Sequence, residues 1–195
     1  ELLASAGQKE IGLLVANAAY SVVSPFLEQS VENHERHIDV NVRSSMHLAH
    51  ALGGAMVRRG RGGVILLSSA SAGQGSPLLA SYASSKAWLQ VFAESLHLEW
   101  KARGVDVMAL LPGATDTPAF RDSGAMPGRV QGMTVMPPEP VVEEGLRALG
   151  KHPYWIAGRS NRWSSGFLHR VFGRRFAMRV YGNAVRRLYG MEEKA

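Results

Sequence analysis

The chain has 195 residues, 46% of them apolar and 19% charged, which is the balance of an ordinary globular domain able to bury a core. It contains no cysteine, which excludes disulfides, thiolate nucleophiles and cysteine-bound zinc and fits a reducing compartment. No apolar run approaches the roughly 20 residues of a spanning helix and the start does not resemble a secretory signal, so we expect a cytoplasmic protein.

Four short apolar runs predict the strands of a buried parallel sheet. Each is too short for a helix and too continuous for a half-exposed strand, so each is expected to be covered on both faces. The runs are residues 11–16, 64–67, 105–111 and 154–156.

Segments with helical spacing separate these runs. Apolar residues recur at three and four positions within residues 30–58 and 82–103, which predicts two long helices, the second ending at Gly104. A shorter helix is predicted over residues 140–149, because proline suits its first turn. The alternation of strands and helices predicts an α/β fold with a Rossmann-like, doubly wound parallel sheet, of which this chain holds the later strands and helices.

A segment rich in glycine and proline follows Pro112-Gly113 and is expected to form a substrate loop. Apolar residues in this segment and near position 80 predict an apolar pocket, which would suit a ketone, a hydroxysteroid or a 3-oxoacyl compound. These residues are Leu78, Leu79, Met126, Val130, Met133 and Met136.

The pattern with the clearest chemistry is Ser81-Tyr-Ala-Ser-Ser-Lys86, preceded by the strand that ends at Ser69. Tyr82 and Lys86 are four residues apart and therefore share one face of the predicted helix. A tyrosine hydroxyl with a pKa near 10 is a weak acid or base at neutral pH. A nearby ammonium is expected to lower that pKa toward working pH, which would suit general acid/base catalysis.

These residues resemble the Tyr-x-x-x-Lys motif and strand-end serine of the short-chain dehydrogenase/reductase family. Ala16-Asn17-Ala18-Ala19 is similar to the family's Asn-Asn-Ala-Gly element, and Asn41 to the asparagine of its catalytic tetrad. Pro112-Gly113 and the following Thr117 also occur in the family's order. The resemblance covers residues 5–158. It implies that residues 1–158 are the catalytic part of a Rossmann-like domain.

The resemblance implies a nicotinamide-dependent oxidoreductase that interconverts an alcohol and a ketone or aldehyde. Tyr82 would exchange a proton with the substrate oxygen, and Ser69 would hold that oxygen. Lys86 would lower the pKa of Tyr82 and bind the nicotinamide ribose, while Asn41 would anchor a water that relays protons. The catalytic residues implied are Ser69, Tyr82, Lys86 and Asn41, and no metal ligand is expected.

The resemblance further implies NADP or NAD as cofactor, with NADP favoured on family grounds, and a homodimer or homotetramer assembled through the two long helices. The residues expected to contact the cofactor are Asn17, Ala18, Tyr82, Lys86, Pro112, Gly113 and Thr117. A purely structural role is the alternative for Asn17, Asn41 and Thr117.

Two departures from the family pattern stand out. Ala16 and Ala19 replace an asparagine and a glycine, and the family's glycine-rich phosphate loop is absent. Gly73-Gln-Gly75 lacks a third glycine and is expected to shape the substrate mouth instead. Because the strand over residues 11–16 would otherwise be an exposed apolar edge, we expect the chain to be a fragment, opening inside a helix, of a protein with an upstream βαβαβ segment.

The tail, residues 159–195, is predicted to be a basic amphipathic helical extension of the same domain. Residues 151–195 hold 10 basic and 2 acidic side chains (10 − 2 = +8), against 12 and 14 (12 − 14 = −2) in residues 1–150. The helix would either contact an anionic membrane through residues 160–190 or pack over the active site or a neighbouring subunit. Its apolar residues at helical spacing are Phe167, Leu168, Val171, Phe172, Phe176, Val180, Val185 and Leu188.

Two other classes of function remain as alternatives. One is a non-catalytic dinucleotide sensor or scaffold that keeps the fold, although a sensor would not need the serine, tyrosine, lysine and asparagine together. The other is a nucleic-acid binder, which rests on the basic tail alone; the few stacking aromatics favour the prediction of no nucleic-acid partner. The expected partner is a small, apolar carbonyl or alcohol compound.

Overall fold

The computed structural model describes residues 9–171 and 173–191, with the side chains of residues 166–171 excepted. The helix predicted at the start of the chain and Phe172 lie outside the described residues, as do the side chains of Phe167, Leu168 and Val171.

Four parallel strands form one sheet in the order β1-β2-β3-β4. Their bounds are Leu13–Ala16 for β1, Gly62–Leu67 for β2, Val105–Leu111 for β3 and Tyr154–Ile156 for β4. All four predicted strands are therefore confirmed, with β1 beginning two residues later and β2 two residues earlier than the apolar runs. The parallel sheet with helices between its strands is the predicted Rossmann-like α/β fold.

The first long helix, α1, covers residues 31–59 and is not uniform. Ser30 caps it by accepting a hydrogen bond from the Asn33 amide at 3.3 Å. Its α-helical segments are Val31–His37, Ser44–Leu48 and Gly54–Arg59, and its π-helical segments are Ile38–Arg43 and Ala49–Gly53. Such π-helical turns inside α-helices often occur at functional sites, and the first one contains Asn41.

The second long helix, α2, runs over Ala80–Trp100 and continues as the 3-10 turn Lys101–Arg103. Gly104 ends it as predicted, with φ +74° and so little room that a Cβ there would lie 2.1 Å from the Gly60 carbonyl oxygen.

Four shorter helices follow, α3 (Pro118–Asp122), α4 (Pro138–Ala148), α5 (Arg159–Val171) and α6 (Arg174–Leu188). The predicted start of α4 at Pro140 is wrong, because Pro138 already occupies the first helical turn after an extended Pro137. Among the described residues, no helix is both long enough and apolar enough to cross a membrane.

The sheet is covered on both faces by separate apolar clusters, as its continuous apolar strands require. One face packs Val64, Leu66 and Val107 against α1 and α2, and includes Met56 and Leu89. The other face packs against α4 and includes Ile65, Met108, Leu110, Val141 and Ala148.

Strand β1 differs from the other strands in its exposure. Leu14 and Ala16 are buried toward α1 and α2, whereas Leu13 and Val15 on the opposite face are 39% and 46% exposed. Within the described residues β1 pairs with β2 alone, so its outer edge carries unpaired backbone groups beside exposed apolar side chains.

Candidate active site

Three side chains meet at the carboxyl end of β2. Ser69 follows this strand, and its hydroxyl lies close enough to the hydroxyl of Tyr82, in the first turn of α2, to lower the pKa of that phenol. The Lys86 ammonium lies one helical turn later, 5.6 Å from the centre of the Tyr82 ring. The structure thus brings Ser69, Tyr82 and Lys86 together, at the sheet edge where parallel α/β folds bind ligands.

Ser69 is held by Ser71, which the sequence analysis did not single out. The Ser69 Oγ accepts hydrogen bonds from the Ser71 backbone amide at 3.1 Å and from the Ser71 hydroxyl at 2.9 Å. With two bonds accepted, the hydrogen of Ser69 remains for Tyr82 or for a substrate oxygen. A serine two residues after a strand-end serine is the local signal that could have predicted this turn.

Lys86 is buried, with only 2% of its surface exposed. Its Nζ donates a hydrogen bond to the Leu67 carbonyl at 2.7 Å, and its own carbonyl accepts one from the Ser68 hydroxyl at 2.7 Å. Burial lowers the pKa of Lys86 to about 8, because the charged form loses its hydration. The Lys86 ammonium therefore loses its proton at a lower pH than an ordinary lysine side chain does.

The prediction that the ammonium lowers the pKa of Tyr82 is wrong for the described residues. Burial raises the pKa of Tyr82 above its ordinary value, the hydrogen bond with Ser69 opposes this, and the nearby Tyr189 phenol adds to the increase. Desolvation of the phenolate therefore dominates, and Lys86 directs its Nζ to the Leu67 carbonyl. Tyr82 is accordingly a neutral phenol at physiological pH.

Asn41, in the first π-helical segment of α1, is fully buried. Its Oδ1 accepts a hydrogen bond from the Tyr20 amide at 2.7 Å, and its Nδ2 donates to the Tyr20 carbonyl at 3.0 Å and to the Ser85 hydroxyl at 2.9 Å. Ser85 in turn donates to the Tyr82 carbonyl at 2.7 Å. Asn41 therefore ties the segment after β1 to the backbone of the Tyr82 turn, and the hydrogen bonds of its side chain among the described residues go to Tyr20 and Ser85.

A buried histidine holds the same segment one turn earlier on α1. His37 is 1% exposed; its Nε2 accepts a hydrogen bond from the Val22 amide at 3.3 Å, and its Nδ1 lies 2.7 Å from the Asn33 carbonyl. The neutral tautomer with hydrogen on Nδ1 satisfies both contacts. Burial lowers the pKa of His37, with a smaller upward effect from the Asn33 carbonyl.

The free energy of unfolding is expected to fall when the pH drops from about 7.5 to about 5.5, because the unfolded chain takes up a proton on His37 first. The neutral imidazole contributes stability above the unfolded pKa of about 6.5, and this is lost as the pH falls through the lower, folded value. Urea titrations of the wild type and His37→Gln should show a weaker pH dependence in the variant. The exposed His50→Gln is the control, and equal pH dependence in all three proteins would contradict the prediction.

The residues expected to contact the cofactor occupy the same edge of the sheet. Asn17 and Ala18 follow β1 and are exposed, and Pro112 follows β3, where its carbonyl accepts a hydrogen bond from the Ala70 amide at 2.8 Å. Gly113 is partly buried beside Asn161, so close that a Cβ there would lie 2.5 Å from the Asn161 Nδ2.

Thr117 caps helix α3, because its Oγ1 accepts a hydrogen bond from the Phe120 amide at 3.2 Å. In this structure the Thr117 oxygen therefore has a structural role, which was the alternative to contact with the cofactor. Its hydroxyl hydrogen is not used in that bond and stays available to a ligand acceptor.

Helix α6 packs beside this site. For the tail, this favours packing over the active site rather than contact with a membrane. Met178 lies against Gly75, where a Cβ would be 3.8 Å from the Met178 Cε, and Gly182 lies against Pro77 at a similar 3.6 Å. The segment they contact leads directly into α2. It includes Leu78, whose φ of +64° is rare for a residue with a side chain.

Two of the expected pocket residues lie in different places. Met126 is next to the end of α6, where its amide donates a hydrogen bond to the Leu188 carbonyl at 2.7 Å. Met136 instead packs against the apolar cluster between the sheet and α4, and its backbone pairs with Thr115 in an isolated parallel bridge.

Comparison with known proteins assigns the family. The family model for short chain dehydrogenases matches residues 3–128, which include Asn41, Ser69, Tyr82 and Lys86. The chain belongs to the short-chain dehydrogenase family. Short-chain dehydrogenases are oxidoreductases with a Rossmann-like fold, as the sequence pattern predicted.

Curated relatives of this short-chain dehydrogenase include hydroxysteroid dehydrogenases and proteins similar to them. A 7beta-hydroxysteroid dehydrogenase from Clostridium sardiniense is 30% identical over 154 residues, which are 78% of this chain and 58% of that protein. The human inactive hydroxysteroid dehydrogenase-like protein 1 is 31% identical over 106 residues, 53% of this chain and 32% of that protein. The chain thus spans 32% to 58% of the length of these two relatives.

Solved structures show the same fold. A 7beta-hydroxysteroid dehydrogenase structure superimposes with a TM-score of 0.81 at 26% identity, covering 93% of this chain and 70% of that one. An NAD(P)-dependent enzyme from Beutenbergia cavernae, described as a gluconate 5-dehydrogenase and solved with bound NADP, gives a TM-score of 0.71 at 26% identity, covering 85% and 70%.

Proposed function

We propose that this short-chain dehydrogenase interconverts an alcohol and a ketone or aldehyde by hydride transfer with NAD(P)(H), using Tyr82 as the general acid/base. The single observation that carries the proposal is the convergence of Ser69, Tyr82 and the buried Lys86, whose Nζ lies 5.6 Å from the centre of the Tyr82 ring. Two hydroxyl groups that converge from a strand end and a helix form a site in which one carbonyl oxygen can accept hydrogen bonds from both.

The raised pKa of Tyr82 favours the reductive direction near neutral pH. A neutral phenol can donate its proton to the substrate oxygen as negative charge develops there, while Ser69 donates a hydrogen bond to the same oxygen. Lys86, with a pKa of about 8, can then return a proton toward the phenolate or stabilise it electrostatically. The bound nicotinamide supplies the hydride.

We propose that Asn17, Ala18, Pro112, Gly113 and Thr117 line the nicotinamide end of the dinucleotide site. Tyr82 and Lys86 would contact its ribose, as the family resemblance implies. Their common position at the carboxyl edge of β1, β2 and β3 supports this arrangement. NADP is the favoured form on family grounds, and NAD is the alternative.

The proposed substrate is an apolar carbonyl or alcohol compound of ring-ketone size. The hydroxysteroid dehydrogenases among the relatives support this class, as does the apolar content of the loop that carries Met126 and Val130. We retain a cytoplasmic location as part of the proposal, on the basis of the cysteine-free composition.

The second candidate is a non-catalytic dinucleotide-binding scaffold. The human relative that is described as inactive supports this candidate. The two candidates differ in turnover. The intact protein should oxidise NADPH or NADH, monitored at 340 nm, when it is supplied with members of a panel of ring ketones and aliphatic ketones. Dinucleotide binding without oxidation of either form by any ketone would favour the scaffold.

We also propose a homo-oligomer assembled through α1 and α2. Apolar side chains on the outer faces of these helices are exposed, which suits a protein contact. They include Ile38, Met46, Val91 and Leu98, of which Leu98 is 80% exposed. Sedimentation velocity of the wild type and Leu98→Glu tests this, and the variant is expected to shift toward the monomer.

A further inference from the structure

The turn after β2 holds the side chain of Ser69 in one orientation. Ser69 has an extended backbone, with φ −161° and ψ 155°, and is followed directly by the 3-10 turn Ala70–Gly73. The Ala72 amide donates a hydrogen bond to the Ser69 carbonyl at 3.0 Å. This turn brings Ser71, which is only 7% exposed, back toward the Ser69 hydroxyl.

Both acceptor positions of the Ser69 hydroxyl are occupied by Ser71. A serine hydroxyl has one hydrogen to donate and two lone pairs that accept. The Ser71 backbone amide and the Ser71 hydroxyl each donate to the Ser69 Oγ, at 3.1 Å and 2.9 Å. In this arrangement Ser69 can donate one hydrogen bond but cannot accept a further one.

This restriction matters for the neighbouring phenol of Tyr82. If Ser69 had a free lone pair, Tyr82 could donate its hydrogen to Ser69, and that proton would be directed away from a substrate oxygen. With Ser69 limited to donation, the Tyr82 proton stays available. Burial raises the pKa of Tyr82, whereas Ser69 lowers it. A lowering is the effect expected when Ser69 donates to the phenolic oxygen, because such a bond stabilises the phenolate.

We propose that Ser71 is a positioning residue, which fills both lone pairs of Ser69 so that the Ser69 and Tyr82 hydroxyls donate to the same substrate oxygen. This inference rests on the proposed function, since that reaction needs both donors. It adds a residue that acts through Ser69 and does not itself contact the substrate. The buried position of Ser71 protects its hydroxyl from exchanging Ser69 for water.

The kinetic test is a double-mutant cycle in the intact protein. Ser71→Ala should lower kcat/KM for ketone reduction about tenfold, the effect of one lost hydrogen bond, and Ser71→Thr, which keeps a hydroxyl, should restore most of the rate. In a Ser69→Ala background Ser71→Ala should cause no further loss, because nothing remains to be positioned. Equal losses in both backgrounds would indicate a general structural effect and overturn the proposal.

The matched control is Ser84→Ala on the exposed face of α2. The Ser84 hydroxyl donates only to nearby backbone, including the Ala80 carbonyl at 2.8 Å, so this variant should keep the wild-type rate. The affinity for the dinucleotide should be the same in the control and in the Ser71 variants.

A titration of Tyr82 separates this inference from the proposed chemistry, because it needs no turnover. The Tyr82 signal in carbon NMR of ring-labelled tyrosine is identified by its loss in Tyr82→Phe. Ser71→Ala should lower the acid dissociation constant of Tyr82 about tenfold, since Tyr82 can then donate to Ser69 and the neutral phenol is favoured. Lys86 and Tyr189, the other titratable groups near this phenol, are retained.

The two measurements distinguish the possible failures. If no ketone is reduced but Ser71→Ala shifts the Tyr82 titration and Ser71→Thr restores it, the role of Ser71 stands and the proposed function fails. If Ser71→Ala leaves the Tyr82 titration unchanged, the assignment of Ser71 is overturned, whether or not ketones are reduced.

Discussion

Replacement of Tyr82 by phenylalanine is expected to lower kcat for ketone reduction about 10³-fold, which is within the range for removal of a general acid. The ring remains in its place in α2, and only the hydroxyl that donates the proton is lost. Because the Ser69 hydroxyl and the Lys86 ammonium are both retained, dinucleotide binding should persist. The measurement is single-turnover oxidation of NADPH at 340 nm, with cofactor affinity followed separately by fluorescence.

The control for this prediction is Tyr154→Phe, which removes an exposed phenol from β4 and should leave kcat unchanged. A Tyr82→Phe protein with wild-type turnover would show that Tyr82 is not the acid. The pH profile adds a second check. With the pKa of Tyr82 raised by burial, alcohol oxidation should increase with pH well above neutrality, whereas ketone reduction should not require alkaline pH.

Replacement of Asn41 by alanine is expected to lower the free energy of unfolding by about 2–4 kcal/mol. The substitution removes the partners of the partly buried Tyr20 amide and carbonyl and of the buried Ser85 hydroxyl. Each buried polar group left unpaired costs about 1–3 kcal/mol, although some rearrangement offsets this. Urea denaturation of the intact protein, followed by circular dichroism, measures the change.

Asn183→Ala is the matched control, because Asn183 is exposed on α6, and it should change stability by less than about 0.5 kcal/mol. If Asn41→Ala is as stable as this control, the contacts with Tyr20 do not exist in solution. The proposed part of Asn41 in a proton relay is separate. It predicts that a variant which remains folded loses kcat while keeping its affinity for the dinucleotide.

The strands and the long helices could be predicted from the sequence because their signals are local. A buried parallel strand needs a continuous apolar run, and a helix needs apolar residues at three and four positions, so β1 to β4, α1 and α2 were visible as patterns. The start of α4 was misplaced because two prolines two residues apart, Pro138 and Pro140, both suit a first turn. Only the cap formed by the extended Pro137 decides between them.

Most residues of the candidate active site could also be identified from short spacings in the sequence. Tyr82 and Lys86 share a helix face by spacing alone, and Ser69 is set by the end of β2, so any parallel sheet with this connectivity brings the three together. The sequence could not predict the pKa of each group at this site. The pKa of Tyr82 is raised and that of Lys86 lowered because of burial, and burial depends on every element packed around the site.

The sequence alone determined the α/β architecture and the serine, tyrosine and lysine at one sheet edge, because periodicity and short spacing are written in neighbouring residues. Only the tertiary structure decided that Asn41 holds Tyr20, that Lys86 donates to the Leu67 carbonyl and that Gly182 of α6 lies against Pro77. Each of these contacts joins residues that are distant in the chain. A periodic sequence pattern cannot predict such a pairing, because the pairing depends on how helices and loops pack against the completed sheet.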